Sequence, residues 1–214
     1  MKSDNNENFY LNKLVKSINT QVENFNGVAG VSIKDLTTGW YYGINDELIF
    51  PTASSIKIPI LLKLIESSED NKLDLLKNIE ITEEMKSRGS GVIHKMNGTI
   101  NLTVENLAIL MINLSDNTAT NLCIDIAGKD EVNKMLEDYE FVSMRLSRKM
   151  QDYTAIKEGR ENLSSVKEMN LILEMLDSAR AIKPEVAKKV LNILSLNKST
   201  PISQPLPENI IVAG

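Results

Sequence analysis

Ser54 and Lys57 stand three residues apart in the stretch F-P-T-A-S-S-I-K-I-P-I-L-L-K-L-I-E, just ahead of an apolar run. Residues three apart on a helix share a face. A helix starting near Ser54 therefore brings Ser54 Oγ and Lys57 Nζ together at its N-terminus. A serine hydroxyl is a weak nucleophile until a neighbour takes its proton. A lysine does that only when burial or nearby positive charge lowers its pKa. The helix N-terminus adds unpaired backbone N–H groups suited to a developing oxyanion. The chemistry on offer is acyl transfer through an activated serine. The same tetrapeptide also fits a helix cap followed by a solvated lysine. Ser-x-x-Lys occurs twice more, at Ser164 with Lys167 and at Ser195 with Lys198. Context sets the first copy apart, because Pro51 and Ala53 precede it and an apolar helix follows.

Composition removes several other chemistries. The chain has 214 residues, 42% of them hydrophobic and 25% charged, enough for one large domain or two subdomains on a shared core. A net charge of −5 argues against a nucleic-acid partner. The one cysteine, Cys123, allows no intrachain disulfide and reads as a small core residue. The one histidine, His94, rules out a Ser-His-Asp triad unless it is the member, and it argues against a His-based metal site. It reads as exposed or lightly packed. No cofactor is implied. No apolar run reaches the roughly 20 residues of a membrane span, and the N-terminus lacks a signal-peptide core. The expected location is cytoplasmic, or exported if a leader has been removed.

The elements that must position Ser54 follow from periodicity. Residues 1–8 are polar and expected to be unstructured. Leu11, Leu14, Val15, Ile18, Val22 and Phe25 trace one helix face. Residues 28–35 and 39–45 read as two strands joined by a turn at Thr37, Thr38 and Gly39, with Trp40, Tyr41 and Tyr42 as packing residues. After the Ser54 helix, 79–101 reads as glycine-bearing loop. Leu107, Leu110, Met111 and Leu114 form one buried helical stripe, and Ala119, Leu122, Cys123 and Ile126 a second. Further helices are expected over 131–138, 165–176 and 184–194, the last opened by Pro184. Residues 144–152 show no period. A proline-rich loop at 199–207 leads to a strand-like run at 210–213.

Between the two buried stripes lie Ser115, Asp116 and Asn117. A hydroxyl, a carboxylate and an amide thus share a tight turn, where Asp116 or Asn117 also suits a helix cap. Ser-x-x-Lys together with Ser-Asp-Asn is part of the signature of class A serine β-lactamases and penicillin-binding proteins. The stretches F-P-T-A-S-S-I-K-I-P and L-S-D-N-T-A-T-N-L resemble that family beyond the motif letters, and the resemblance runs from the first helix to the last residue. It implies an α+β fold of the β-lactamase/DD-peptidase type, a helical subdomain packed on an antiparallel sheet with the site between them. On this reading 9–50 and 180–214 form the helix-and-sheet part of a single domain, and 51–179 the helical part. The resemblance implies Ser54 as the nucleophile that opens a β-lactam, with its backbone N–H as half of the oxyanion hole. Lys57 becomes its base or proton relay, and Ser115 the donor to the leaving nitrogen. Asn117 becomes the residue that holds the substrate amide and Lys57.

The sequence departs from the family twice. Family enzymes carry an acid in an R-x-x-R-x-E pattern after the Ser-Asp-Asn helices. Here Arg145 and Arg148 align, but the acid's place is taken by Met150. Asp152, Glu158 and Glu161 follow, and Asp152 is the first candidate for a substitute base. The Lys-Thr-Gly strand is also absent, so Gly214 reads as a truncation. The sheet is then expected to be incomplete and finished by a missing segment or a second chain. The expected function is a serine hydrolase acting on β-lactams or peptide amides. The alternatives are a penicillin-binding or transpeptidase-like acyl acceptor, and a truncated module without a competent site.

Overall fold

The computed structural model describes residues 2–196, with side chains from Phe9 onward. The first helix, α1 (Lys2–Glu23), begins earlier than its apolar stripe. The polar segment expected to be unstructured is helical backbone from Lys2. Extending an existing helix costs far less than nucleating one. Strands β1 (Val31–Lys34) and β2 (Tyr41–Ile44) follow as an antiparallel hairpin pairing Val31 with Ile44 and Lys34 with Tyr41. Its turn is closed by the Asp35 carboxylate, which accepts from Thr37 N and Thr38 Oγ1. Trp40 and Tyr42 stack with ring centroids 6.2 Å apart. Tyr42 Oη donates to Asn19 Oδ1, tying the hairpin to α1.

The core surrounds α2 (Lys57–Glu69). Ile60, Leu61, Leu62, Leu64 and Ile65 are all buried, and a helix apolar nearly all round must sit inside the fold. Packed on it are α3 (Val104–Asn113), α4 (Asn117–Ala127), α5 (Lys129–Asp138) and α8 (Pro184–Leu194). Truncating any of these leucines or isoleucines to alanine typically costs about 2–5 kcal/mol, which keeps the first turn of α2 in a fixed place. The helix α7 (Val166–Ser178) packs on β1 instead. Lys34 pairs with Glu174 at 2.6 Å, and Asn170 Nδ2 donates to Ser32 Oγ. No helix of the described residues is long and apolar enough to cross a membrane.

Four short strands escaped the periodicity. Strand β3 (Ile49–Pro51) pairs antiparallel with β6 (Leu163–Ser165), and β4 (Asn78–Ile81) with β5 (Ile100–Thr103). The second pair corrects the expectation of continuous loop over 79–101. Its strands are four residues each, too short for an alternation to stand out. Each is made a strand by its partner some twenty residues away. A short helix, α6 (Tyr153–Lys157), was likewise not expected. The architecture is α+β, with helices around α2 and antiparallel ladders of two strands each among the described residues. The expected run at 210–213, the loop at 199–207 and Lys198 lie outside those residues.

Candidate active site

Ser54 lies in a 3₁₀ turn, Ala53–Ile56, that runs straight into α2. The expectation was an α-helix from about Ser54. The tighter turn serves better, because residues three apart eclipse one another in a 3₁₀ helix. Lys57 Nζ is 3.3 Å from Ser54 Oγ. It also donates to Ser115 Oγ at 2.5 Å and to the Ser115 carbonyl at 3.0 Å. Ser54 Oγ and Ser115 Oγ are 2.8 Å apart. An ammonium has three protons, and these three acceptors use them all. Lys57 is buried while Ser54 is exposed. Burial pushes Lys57 down to about 8, against the opposing attraction of the Asp116 carboxylate. At pH 7 about one lysine in ten is then neutral and able to accept a proton.

The 115–117 turn is held by its middle residue. Ser115 adopts a left-handed backbone with φ +51°. Asp116 is fully buried and caps α4 by accepting from Ala119 N through Oδ1. Its Oδ2 accepts from Val92 N at 2.6 Å and Ile93 N at 2.9 Å. Gly91 makes that approach possible, since a Cβ there would stand 2.2 Å from Asp116 Oδ2. Asn117 N donates to the Ser90 carbonyl, and Asn117 Nδ2 to the Arg88 carbonyl at 2.9 Å. The segment at 87–93, which looked like plain loop, is thus one wall of the site. Only its glycines hinted at a close backbone approach.

The opposite wall is the irregular segment between α5 and β6. It lacks periodicity because side chains, not a ladder, satisfy its backbone. Glu168 accepts from Val142 N, Ser143 N and Met144 N. Asn133 bonds both backbone groups of Leu146, and Asn121 both of Met150. Asn162 accepts from Ser147 N and Arg148 N and donates to the Arg148 carbonyl. Its own carbonyl accepts from Thr52 N, joining this wall to the Ser54 turn. Sequence reading missed all four of these side chains, whose partners lie 13 or more residues away.

A cleft of about 280 Å³ opens between the walls, lined by Ser54, Ser90, Asn117, Met150, Gln151 and Tyr153 among others. No carboxylate is among the described residues lining it. Asp152 instead caps α6 through Ala155 N. Glu161 is paired with Arg148 at 2.7 Å, and Glu158 pairs with Arg160. His94, expected to be exposed or lightly packed, is half-buried with Nδ1 enclosed and unpartnered among the described residues. Cys123 is buried in the core, where desolvation pushes its thiol far up. Ser164 and Lys167 separate, the serine buried in β6 and the lysine paired with Glu47.

A family model described as "Beta-lactamase enzyme family" matches residues 13–214. The chain is 25% identical over 121 residues to the beta-lactamase regulatory protein BlaB of Streptomyces cacaoi, covering 56% of this chain and 39% of that protein. It spans 39% to 59% of the length of the first curated relatives it matches. The crystal structure of a beta-lactamase from Sphaerobacter thermophilus superposes with a TM-score of 0.80 at 30% identity, covering 86% of this chain and 69% of that one. PBP-A shares the fold, with a TM-score of 0.82 at 21% identity over 94% of this chain and 75% of its own.

Proposed function

Because the chain belongs to the β-lactamase enzyme family, we propose that it is a class A-type serine hydrolase acylated at Ser54 by β-lactams. The observation carrying this is the closed triangle of Ser54 Oγ, Lys57 Nζ and Ser115 Oγ, with every side between 2.5 and 3.3 Å. Neutral Lys57 takes the Ser54 proton as Oγ attacks the lactam carbonyl. The carbonyl carbon gains a bond to Ser54 Oγ and loses its bond to the ring nitrogen. The proton passes from Lys57 through Ser115 to that nitrogen, so the relay ends with its starting charges. Asn117, on the same cleft wall, holds the substrate amide.

Turnover needs a second step, in which a base takes a proton from the water that attacks the acyl-serine. Met150 lines the cleft, and a thioether has no useful basicity. Asp152 is engaged in its cap. This favours a second reading, a penicillin-binding-type acyl acceptor whose adduct outlasts its formation. Both readings share acylation at Ser54. Intact-mass measurement and peptide mapping after exposure to penicillin test it. We expect one adduct, on Ser54, and none on Ser54→Ala. An adduct retained by Ser54→Ala, or mapped to Ser164, would overturn the assignment.

A further inference from the structure

The apolar surface of α2 is interrupted along one line. Lys63, Glu66, Ser67 and Asp70 stand at i, i+3, i+4 and i+7, so they share one face. Over that face lies a cavity of about 290 Å³, bounded by Tyr139 at the end of α5 and by the 181–186 segment at the start of α8. Its apolar side is made by Ile182 and Val186, both buried. The cavity is separate from the Ser54 cleft. Glu66 lies nine residues beyond Lys57, which at 1.5 Å of rise per residue is about 14 Å along α2. Among the described residues, none lines both spaces.

Two charged groups of the α2 face are only partly partnered. Tyr139 Oη donates to Glu66 Oε1, and Glu66 Oε2 accepts no hydrogen bond among the described residues. Burial pushes the Glu66 carboxyl up, and the tyrosine bond offsets only part of that. The Lys63 side chain is 20% exposed, yet its ammonium has only the exposed Glu131 carboxylate, 3.7 Å away. Lys63 and Glu66 form no ion pair with each other. At the rim the charges are already matched, since Asp70 accepts from Lys72 at 3.1 Å and from Lys183 at 2.8 Å. The cavity therefore presents one free carboxylate oxygen and one free ammonium, a helical turn apart. The segment above it carries backbone strain. Ala179 and Ala181 hold left-handed φ angles of +48° and +65°, which a residue with a Cβ disfavours. Strain of this kind concentrates at functional sites such as ligand clamps.

We propose that this cavity is a second binding site, for a small α-amino acid with an apolar side chain. The ligand's ammonium donates to Glu66 Oε2 and its carboxylate accepts from Lys63 Nζ. Its side chain lies against Ile182 and Val186. A ligand with only one charge leaves the other wall group desolvated and unpaired, which is costly. Three lysines against two carboxylates line the space, which further disfavours a simple cation. The volume is close to the lower bound of about 300 Å³ for small-molecule sites, and so suits a single amino acid. The proposal does not depend on the chemistry at Ser54.

The test titrates the isotope-labelled full chain with L-leucine and with two analogues, followed by amide NMR shifts. One analogue, 4-methylpentanoate, lacks the ammonium, and the other, 3-methylbutylamine, lacks the carboxylate. A ligand of leucine's size supports a dissociation constant of about 0.1–1 mM. We expect saturable shifts at Tyr139 and at 181–183 with leucine, and affinity about tenfold weaker for either analogue, the factor expected for a hydrogen bond to a charged group. Glu66→Gln keeps an acceptor for Tyr139, and Lys63→Met keeps the side-chain length. Each should weaken leucine binding about tenfold while melting like the parent. Lys63 has no hydrogen bond to lose, so its variant gives the measurement even if Glu66→Gln loosens the tyrosine contact. Leucine shifts at Gly89 and Gly91 in the cleft instead, equal affinity for either analogue, or unchanged affinity in Lys63→Met would overturn the proposal. So would the absence of any saturable shift, which would leave Glu66 as a tether for Tyr139.

Discussion

Asp116→Asn separates the structural half of the 115–117 turn from its chemical half. The wild-type carboxylate accepts on both oxygens, from Val92 N and Ile93 N on one and Ala119 N on the other. An asparagine has only one oxygen. Its better orientation keeps the two bonds to 92 and 93 and sets an NH₂ against the Ala119 N–H. That leaves two buried donors without an acceptor, the Ala119 N–H whose bond was the α4 cap and the new NH₂ facing it, each worth about 1–3 kcal/mol. The remaining bonds lose their charge assistance. The sum is about 3 kcal/mol, or about 6–12 °C in melting temperature for a chain of this size. Ser115→Ala removes a hydroxyl but leaves the Ser115 carbonyl contact to Lys57. It should melt within about 2 °C of the parent while slowing acylation. Thermal melts of both variants, followed by circular dichroism, provide the comparison. Asp116 also raises the Lys57 pKa against burial. The acylation profile of folded Asp116→Asn, recorded below its melt, should therefore move to lower pH. Equal melting temperatures for the two variants, or an unmoved profile, would refute this division of roles.

Lys57 predicts two pH dependences of its own. Acylation should rise with pH through about 8, as the neutral amine becomes the main form, and a flat profile from pH 6.5 to 9 would exclude Lys57 as the base. The unfolded chain keeps this proton up to the ordinary lysine value of 10.5, the folded chain only to about 8. The unfolded state therefore binds more protons in that window, and Lys57's contribution to stability rises with pH across it, by about 3 kcal/mol in all. Denaturant titrations of the parent and of Lys57→Met at pH 7.5 and 10 should show this rise as the difference between the two, since the buried Cys123 thiol acts in the opposite direction in both. Met150→Glu should speed release of the Ser54 adduct by about 10²–10⁴-fold, followed by intact mass over time. Release from the parent chain as fast as from the variant would show that another group supplies the base.

Relations confined to a turn or two of chain were legible in the residues themselves. The Ser54–Lys57 spacing, the Asp116 cap three residues before Ala119, the apolar stripes of α3 and α4 and the Pro184 start of α8 all depend on near neighbours. Helical geometry converts such spacing directly into contact. The family resemblance, carried by two short motifs, pointed to the same α+β fold. What lay beyond reach was every relation set by packing. Context set the Ser54 copy of Ser-x-x-Lys apart in the sequence, but only packing buries Lys57 deeply enough to lose its proton near pH 8, while Lys167 of the second copy pairs with Glu47 at the surface. The pairing of β3 with β6 joins segments over a hundred residues apart. The wall at 139–163 is ordered by Glu168, Asn133, Asn121 and Asn162, polar residues whose type says nothing about which backbone they serve. The side chains of Asn117 and Gln151 both lie against Gly89, where a Cβ would meet them at 2.7 and 3.1 Å. Local geometry is repeated in every helix and can be read from spacing. A desolvated lysine or a shared cleft exists only once α2, the 115–117 turn and both walls have packed together.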